Sequence, residues 1–120
     1  MAEIPKGLER MLAMWNEHDL GKIRGYVDEI FTGDVFFVDP ANSIVGRAAF
    51  EKMVKDFRVR LPAAVCSHST GFDTHHGLHR YHWEIHQEDA LLISGFDVTQ
   101  IDPDGRISRV EGFFGDIPKS

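Results

Sequence analysis

The chain has 120 residues, enough for one hydrophobic core and too few for two. Hydrophobic residues make up 42% and charged residues 27%, ordinary values for a folded globular domain that argue against a disordered chain. The net charge of −6 argues against a nucleic-acid partner, and the most basic stretch, Lys55 to Arg60, carries its own acid at Asp56.

In chain order, Met1 to Gly7 holds no apolar stretch of the kind a secretory signal needs, and no run reaches membrane-spanning length. No membrane partner and a cytoplasmic location are therefore expected. Leu8, Met11, Leu12 and Trp15 recur at i, i+3, i+4 and i+7, which predicts a first helix. Asp19 reads as the N-cap of a second helix carrying Leu20, Ile23, Tyr26, Val27, Ile30 and Phe31, with Gly33 as its stop. Asp34 to Asp39 is a short β-rich run ended by Pro40, and Ala41 to Gly46 reads as a loop. Phe50, Met53, Val54 and Phe57 predict a third helix from Arg47 to Leu61, stopped by Pro62.

The remainder reads as strands: Ala64–Phe72, Leu78–His86, Ala90–Ile101 and Arg106–Phe114. Polar turns separate them at Asp73–Gly77, Gln87–Asp89 and Asp102–Gly105. Three helices followed by antiparallel strands is an α+β order. One domain over residues 1–120 is expected, with a concavity between sheet and helices that suits a small ligand.

Several side chains carry possible chemistry. Cys66 is the single cysteine, so no internal disulfide can form; it reads as a small buried hydrophobe rather than a nucleophile. Six of the seven histidines fall between His68 and His86. Strand alternation puts His79 and His82 on opposite faces, and His75-His76 sits in a turn, so the spacing gives no metal-ligand set. Trp83 shares a face with Tyr81 and His79, while Arg80, His82, Glu84 and His86 share the other, where Arg80 and Glu84 read as cross-strand partners. Alternation turns Asp97 away from Phe96 and Val98, leaving either an exposed aspartate paired with Arg109 or a pocket aspartate. Asp39, ahead of Pro40 and on the face of Phe37, reads equally as a turn former and as a pocket base. Phosphate-binding glycine motifs, Cys-x-x-Cys and the serine nucleophile elbow are absent, so no cofactor is expected.

The tail from Gly95 to Gly115 resembles the closing hairpin of SnoaL-like proteins, within the nuclear transport factor 2-like superfamily. Asp19-Leu20, the Phe36–Pro40 strand and Gly46 ahead of the third helix fit the same pattern. The resemblance implies a cone: three N-terminal helices packed on a strongly curved antiparallel sheet that encloses a pocket. Aligned without a gap back from Phe114-Gly115, the final hairpin is similar to that of ketosteroid isomerase and brings Asp97 to its oxyanion-stabilising aspartate. By the same resemblance Val38-Asp39-Pro40 corresponds to the segment of its general base. Met11 stands where that enzyme has a tyrosine, and methionine donates no hydrogen bond. The chain is thus more similar to the SnoaL-type members, in which one strand aspartate acts as both acid and base.

The resemblance implies Asp97 and Asp39 as catalytic groups, with Trp15, Phe37, His79, Tyr81, Trp83, Val110 and Phe114 as ligand-binding residues and no metal. It implies a cofactor-free isomerase, cyclase or dehydratase acting on a small apolar organic ligand. A non-catalytic binding or assembly module is the alternative, and an epoxide hydrolase-like member would need an arginine between the two aspartates. A homodimer paired through the outer sheet face, near Phe96 and Val98, is also implied.

Overall fold

The structure is a computed structural model that describes residues 3–119; Met1, Ala2 and Ser120 lie outside the described residues. Helix α1 spans Lys6–Trp15 and buries Leu8 and Met11 of the predicted stripe together with Met14 beside it. Helix α2 spans Leu20–Ile30, and the Asp19 carboxylate accepts from the Gly21 amide at 2.9 Å, as the N-cap reading anticipates.

The end of α2 differs from expectation. Phe31 is not its last turn but the first residue of β1 (Phe31–Asp39), and Gly33 lies within that strand. The reason is tertiary: extended backbone at Phe31 lets its ring stack on Phe50 of α3 at 4.1 Å, fully buried. Helical spacing alone cannot register that gain. The stretch predicted as a loop contains a short strand, β2 (Asn42–Val45), hairpinned onto β1. Helix α3 (Arg47–Arg60) starts after Gly46, whose φ of 95° is one that L side chains rarely adopt.

Strand β3 covers Ala64–His68 and stops short of Phe72. The expected turn at Asp73–Gly77 opens with a three-residue strand, β4 (Asp73–His75), and only His76 and Gly77 turn, both with positive φ. Strands β5 (Leu78–Gln87), β6 (Ala90–Ile101) and β7 (Ile107–Phe114) lie close to their predicted bounds.

The strands form one open, curled sheet in the order β2-β1-β7-β6-β5-β3, with β4 also on β5. The sheet is mixed, not antiparallel throughout as expected: β7 slots between β6 and β1 and runs parallel to β1, pairing Phe36 with Arg109 and Phe37 with Val110. Period-two alternation marks strands but says nothing about which strand they neighbour. The helices cover the concave face, and the core between holds Leu8, Met14, Ile23, Val27, Phe31, Val35, Phe50, Val54, Ile107 and Val110, all at most 1% exposed.

The convex face carries the opposite set. Phe96 lies between the rings of His82 and Phe113, and Phe113 is 60% exposed. Arg80 has a cross-strand partner as expected, Asp73 of β4 at 2.7 Å, whereas Glu84 lies 3.7 Å from the Nε2 of His86 on its own strand. Arg109 covers the Phe36 ring and reaches Glu111, so it is not the partner of Asp97. Among the described residues, no helix is long and apolar enough to cross a membrane.

Candidate active site

A cavity of about 790 Å3 lies between the concave sheet face and helices α1 and α3. Its apolar wall comes from Met11, Leu12 and Trp15 on α1, Met53 and Phe57 on α3, and Phe37, Ile85, Ile93 and Phe114 on the sheet. Such a volume and lining suit a small organic molecule. Exposed Ala41, Asp56, Val59 and Arg60 lie toward its rim.

The polar side of the cavity is built by register. Tyr81 on β5 faces Asp97 on β6, which in turn faces Gly112 on β7, while Trp83 faces Gly95 one step along. The Trp83 Nε1–H donates to Asp97 Oδ1 at 2.8 Å, and the Tyr81 hydroxyl donates to Asp97 Oδ2 at 3.3 Å. Tyr81 also shares a 2.9 Å hydrogen bond with Thr99. Asp97 therefore faces inward, among aromatic rings and donors.

Two glycines make this packing feasible. A Cβ at Gly95 would sit 2.1 Å from the Trp83 indole and 2.5 Å from the Phe113 carbonyl, so only a bare backbone lets the indole lie across the strand toward Asp97. A Cβ at Gly112 would lie 2.8 Å from Asp97 Oδ1 and 3.3 Å from the Asp39 Cβ. The two aspartates thus flank the same empty spot on β7.

Burial pushes the Asp97 carboxyl up to about 6, against the hydrogen bonds from Trp83 and Tyr81, which favour its charged form; nearby Asp39 adds to the rise. Tyr81 is pushed well above its ordinary value, first by burial and then by the Asp97 charge, so it stays a donor. Asp39 makes the turn that one of its readings predicts. Its Oδ1 accepts from the Ala41 and Asn42 amides at 2.8 Å and from the Asn42 side chain at 3.1 Å, the geometry of a turn. The same residue lines the cavity, and its second oxygen accepts no bond among the described residues.

Across from this group, β3 is tied down by two side chains of the helical layer. Asn16 makes a two-way bond with the Cys66 backbone at 2.8 and 2.9 Å. The guanidinium of Arg58, 3% exposed, donates to the Trp15, Pro62 and Ala64 carbonyls. Cys66 and His68 consequently face the cavity. Burial pushes the Cys66 thiol up to about 11, which suits a packed, unreactive thiol.

Against this geometry stand the comparisons with known proteins. The sequence profile of the SnoaL-like domain matches residues 8–110. The chain belongs to that family. A solved candidate isomerase of the SnoaL-like family from Agrobacterium tumefaciens is 26% identical, with a TM-score of 0.85 over 92% of this chain and 95% of that one. A nuclear transport factor 2-like protein of unknown function from Exiguobacterium is 15% identical, with a TM-score of 0.76 over 93% and 100% of the two chains. A candidate polyketide cyclase from Sinorhizobium meliloti is 14% identical, with a TM-score of 0.73 over 91% and 94%. The latter two likenesses are of fold alone. None of the curated proteins matches the chain.

Within this SnoaL-like domain, Trp15, Phe37, Asp39, Tyr81, Trp83, Asp97 and Phe114 come together around the cavity. Two of the expected lining residues do not. Val110 is fully buried in the core. His79 is 7% exposed and turns to Thr74, whose hydroxyl lies 2.8 Å from its Nδ1, because β4 pairs over that part of β5. No arginine bonds either aspartate among the described residues: Arg60 is exposed, and Arg58 is committed to carbonyls. The hydrolase-type Asp-Arg-Asp arrangement is therefore not assembled. Sequence reasoning passed over Gly95, Gly112, Arg58 and His68 as parts of the site. Gly95 and Gly112 had a signal, since glycine inside a strand marks close approach. Arg58 had one too, falling at helical spacing from Phe50 and Val54 on an apolar face.

Proposed function

We propose that this SnoaL-like protein is a cofactor-independent acid–base catalyst, performing isomerisation, aldol-type cyclisation or dehydration on a small apolar oxygenated molecule. These reactions share a first step, removal of a proton from carbon next to a carbonyl. The observation that carries the reading is Asp97: a carboxyl raised to about 6, held by Trp83 and Tyr81, on the wall of an apolar cavity. At pH 7 it is roughly nine-tenths ionised, hence a base, and once protonated it is acidic enough to return the proton elsewhere on the substrate. Donors from Trp83 and Tyr81 fix the carboxylate's orientation. Asp39, with one oxygen free of the turn, is the second carboxylate available to the same space.

The test needs no physiological substrate. 2-Tetralone, a bicyclic ketone with acidic α-hydrogens, is incubated with the protein in D2O, and loss of the α-proton signals is followed by NMR. Catalysed exchange is expected, and Asp97→Asn should lower it at least ~100-fold, the usual contribution of a positioned base. Binding without exchange would place the chain with the non-catalytic members of its fold.

A further inference from the structure

The donors that orient Asp97 are consumed in doing so. Tyr81 and Trp83 both point their hydrogens at its carboxylate, Asn42 gives one of its two side-chain N–H groups to Asp39, and Met11 has none to give. An enolate oxygen forming in the cavity still needs a donor. Two ring N–H groups on the wall remain uncommitted among the described residues: the imidazole of His68 and the indole of Trp15. Trp15 sits against the rings of Phe37, Phe50 and Phe57, on the helical side. His68 lies on the sheet, opposite Trp83 across the β3–β5 pairing, with its ring edge-on to Tyr81 at 5.2 Å. It thus adjoins both residues that hold Asp97, on a strand anchored by Asn16 and Arg58.

We propose that His68 is a further catalytic residue, donating a hydrogen bond from its neutral imidazole to the substrate carbonyl oxygen while Asp97 removes the proton from the adjacent carbon. This rests on the acid–base reading above. The step balances within the site: the C–H bond breaks, its proton goes to Asp97, its electron pair becomes the enolate, and His68 retains its proton while the oxygen gains charge. Burial lowers the His68 pKa, so the ring is neutral at pH 7, with one nitrogen donating and the other accepting. A neutral imidazole avoids placing a cation among apolar walls yet still polarises a carbonyl.

Two readouts separate this proposal from the reading beneath it. In the 2-tetralone exchange assay, His68→Phe is expected to lose about 30-fold in kcat, and His68→Gln, which keeps an N–H, to recover part of it. In NMR titrations, wild-type protein is expected to bind 2-tetralone about tenfold tighter than tetralin, the same skeleton without the carbonyl, and His68→Phe to bind the two alike. Normal exchange in His68→Phe with none in Asp97→Asn overturns the role of His68 and leaves the acid–base reading standing. Absence of exchange in the wild type overturns that reading and the catalytic role together; the titration then decides whether His68 anchors oxygen at all. Loss of carbonyl preference in Trp15→Phe but not in His68→Phe assigns the donor to the helix and overturns the proposal. If His68→Phe fails to fold, His68→Leu carries the same comparison, with circular dichroism as the check.

Discussion

Replacing Asp97 by Asn removes one ionisation and almost no volume, so the variant measures what holding a carboxylate in this cavity costs. In the unfolded chain the carboxyl titrates near 3.8; in the folded protein burial moves it to about 6. Between those values the folded state binds more protons than the unfolded one, so wild-type stability falls as pH rises through that window. The gap corresponds to about 3 kcal/mol at most, fully present below pH 4 and lost above pH 7. The uncharged amide of the variant has no such loss. Its carbonyl can accept from Trp83, and its N–H group can meet the Tyr81 hydroxyl, which then donates to Thr99. Urea melts of both proteins from pH 4 to 8 should show a stability difference that grows with pH in the variant's favour by about 3 kcal/mol, equivalent to roughly 10 °C in Tm. Titrating groups that do not interact with Asp97 cancel in the comparison. A difference that stays constant across that range would mean that Asp97 ionises normally, and the argument for a tuned base would fail with it.

Two further substitutions probe how that carboxylate is held. Trp83→Phe removes the shorter of the two hydrogen bonds that favour the ionised form, so Asp97 should titrate higher and the rising limb of the exchange rate against pH should move up by about one unit. A profile that does not move would show that the indole only fills space. Gly95→Ala drives a methyl into the Trp83 indole and should destabilise the fold by about 3 kcal/mol or expel the ring, seen as a red-shifted tryptophan emission together with slower exchange.

Much of the fold is legible in the residues because each helix has an apolar stripe, and because Asp19, Pro62 and Asp102–Gly105 punctuate the chain where the structure does. Phe31 is misread since its spacing from Val27 is helical, and only the distant Phe50 ring makes extension the better choice. The parallel pairing of β1 with β7 joins residues more than seventy positions apart and leaves no local trace. For the site, alternation places Tyr81 and Trp83 on a common face and the family resemblance adds Asp97, but neither can say that β4 would draw His79 away toward Thr74. His68 is hidden for a different reason: its place in the wall depends on Asn16 and Arg58 fastening β3, and although spacing marks Arg58 as inward, it does not name the carbonyls that either side chain holds.

The position of β7 also bears on how the cavity is assembled. Without β7 the sheet order divides into the β1–β2 hairpin and the β3–β5–β6 strands, with Asp39 on one part and Asp97 on the other. Strand β7 bridges them, and it brings Gly112 to the gap between the two carboxylates. A chain cut short before β7 therefore retains both carboxylates without the strand that joins them.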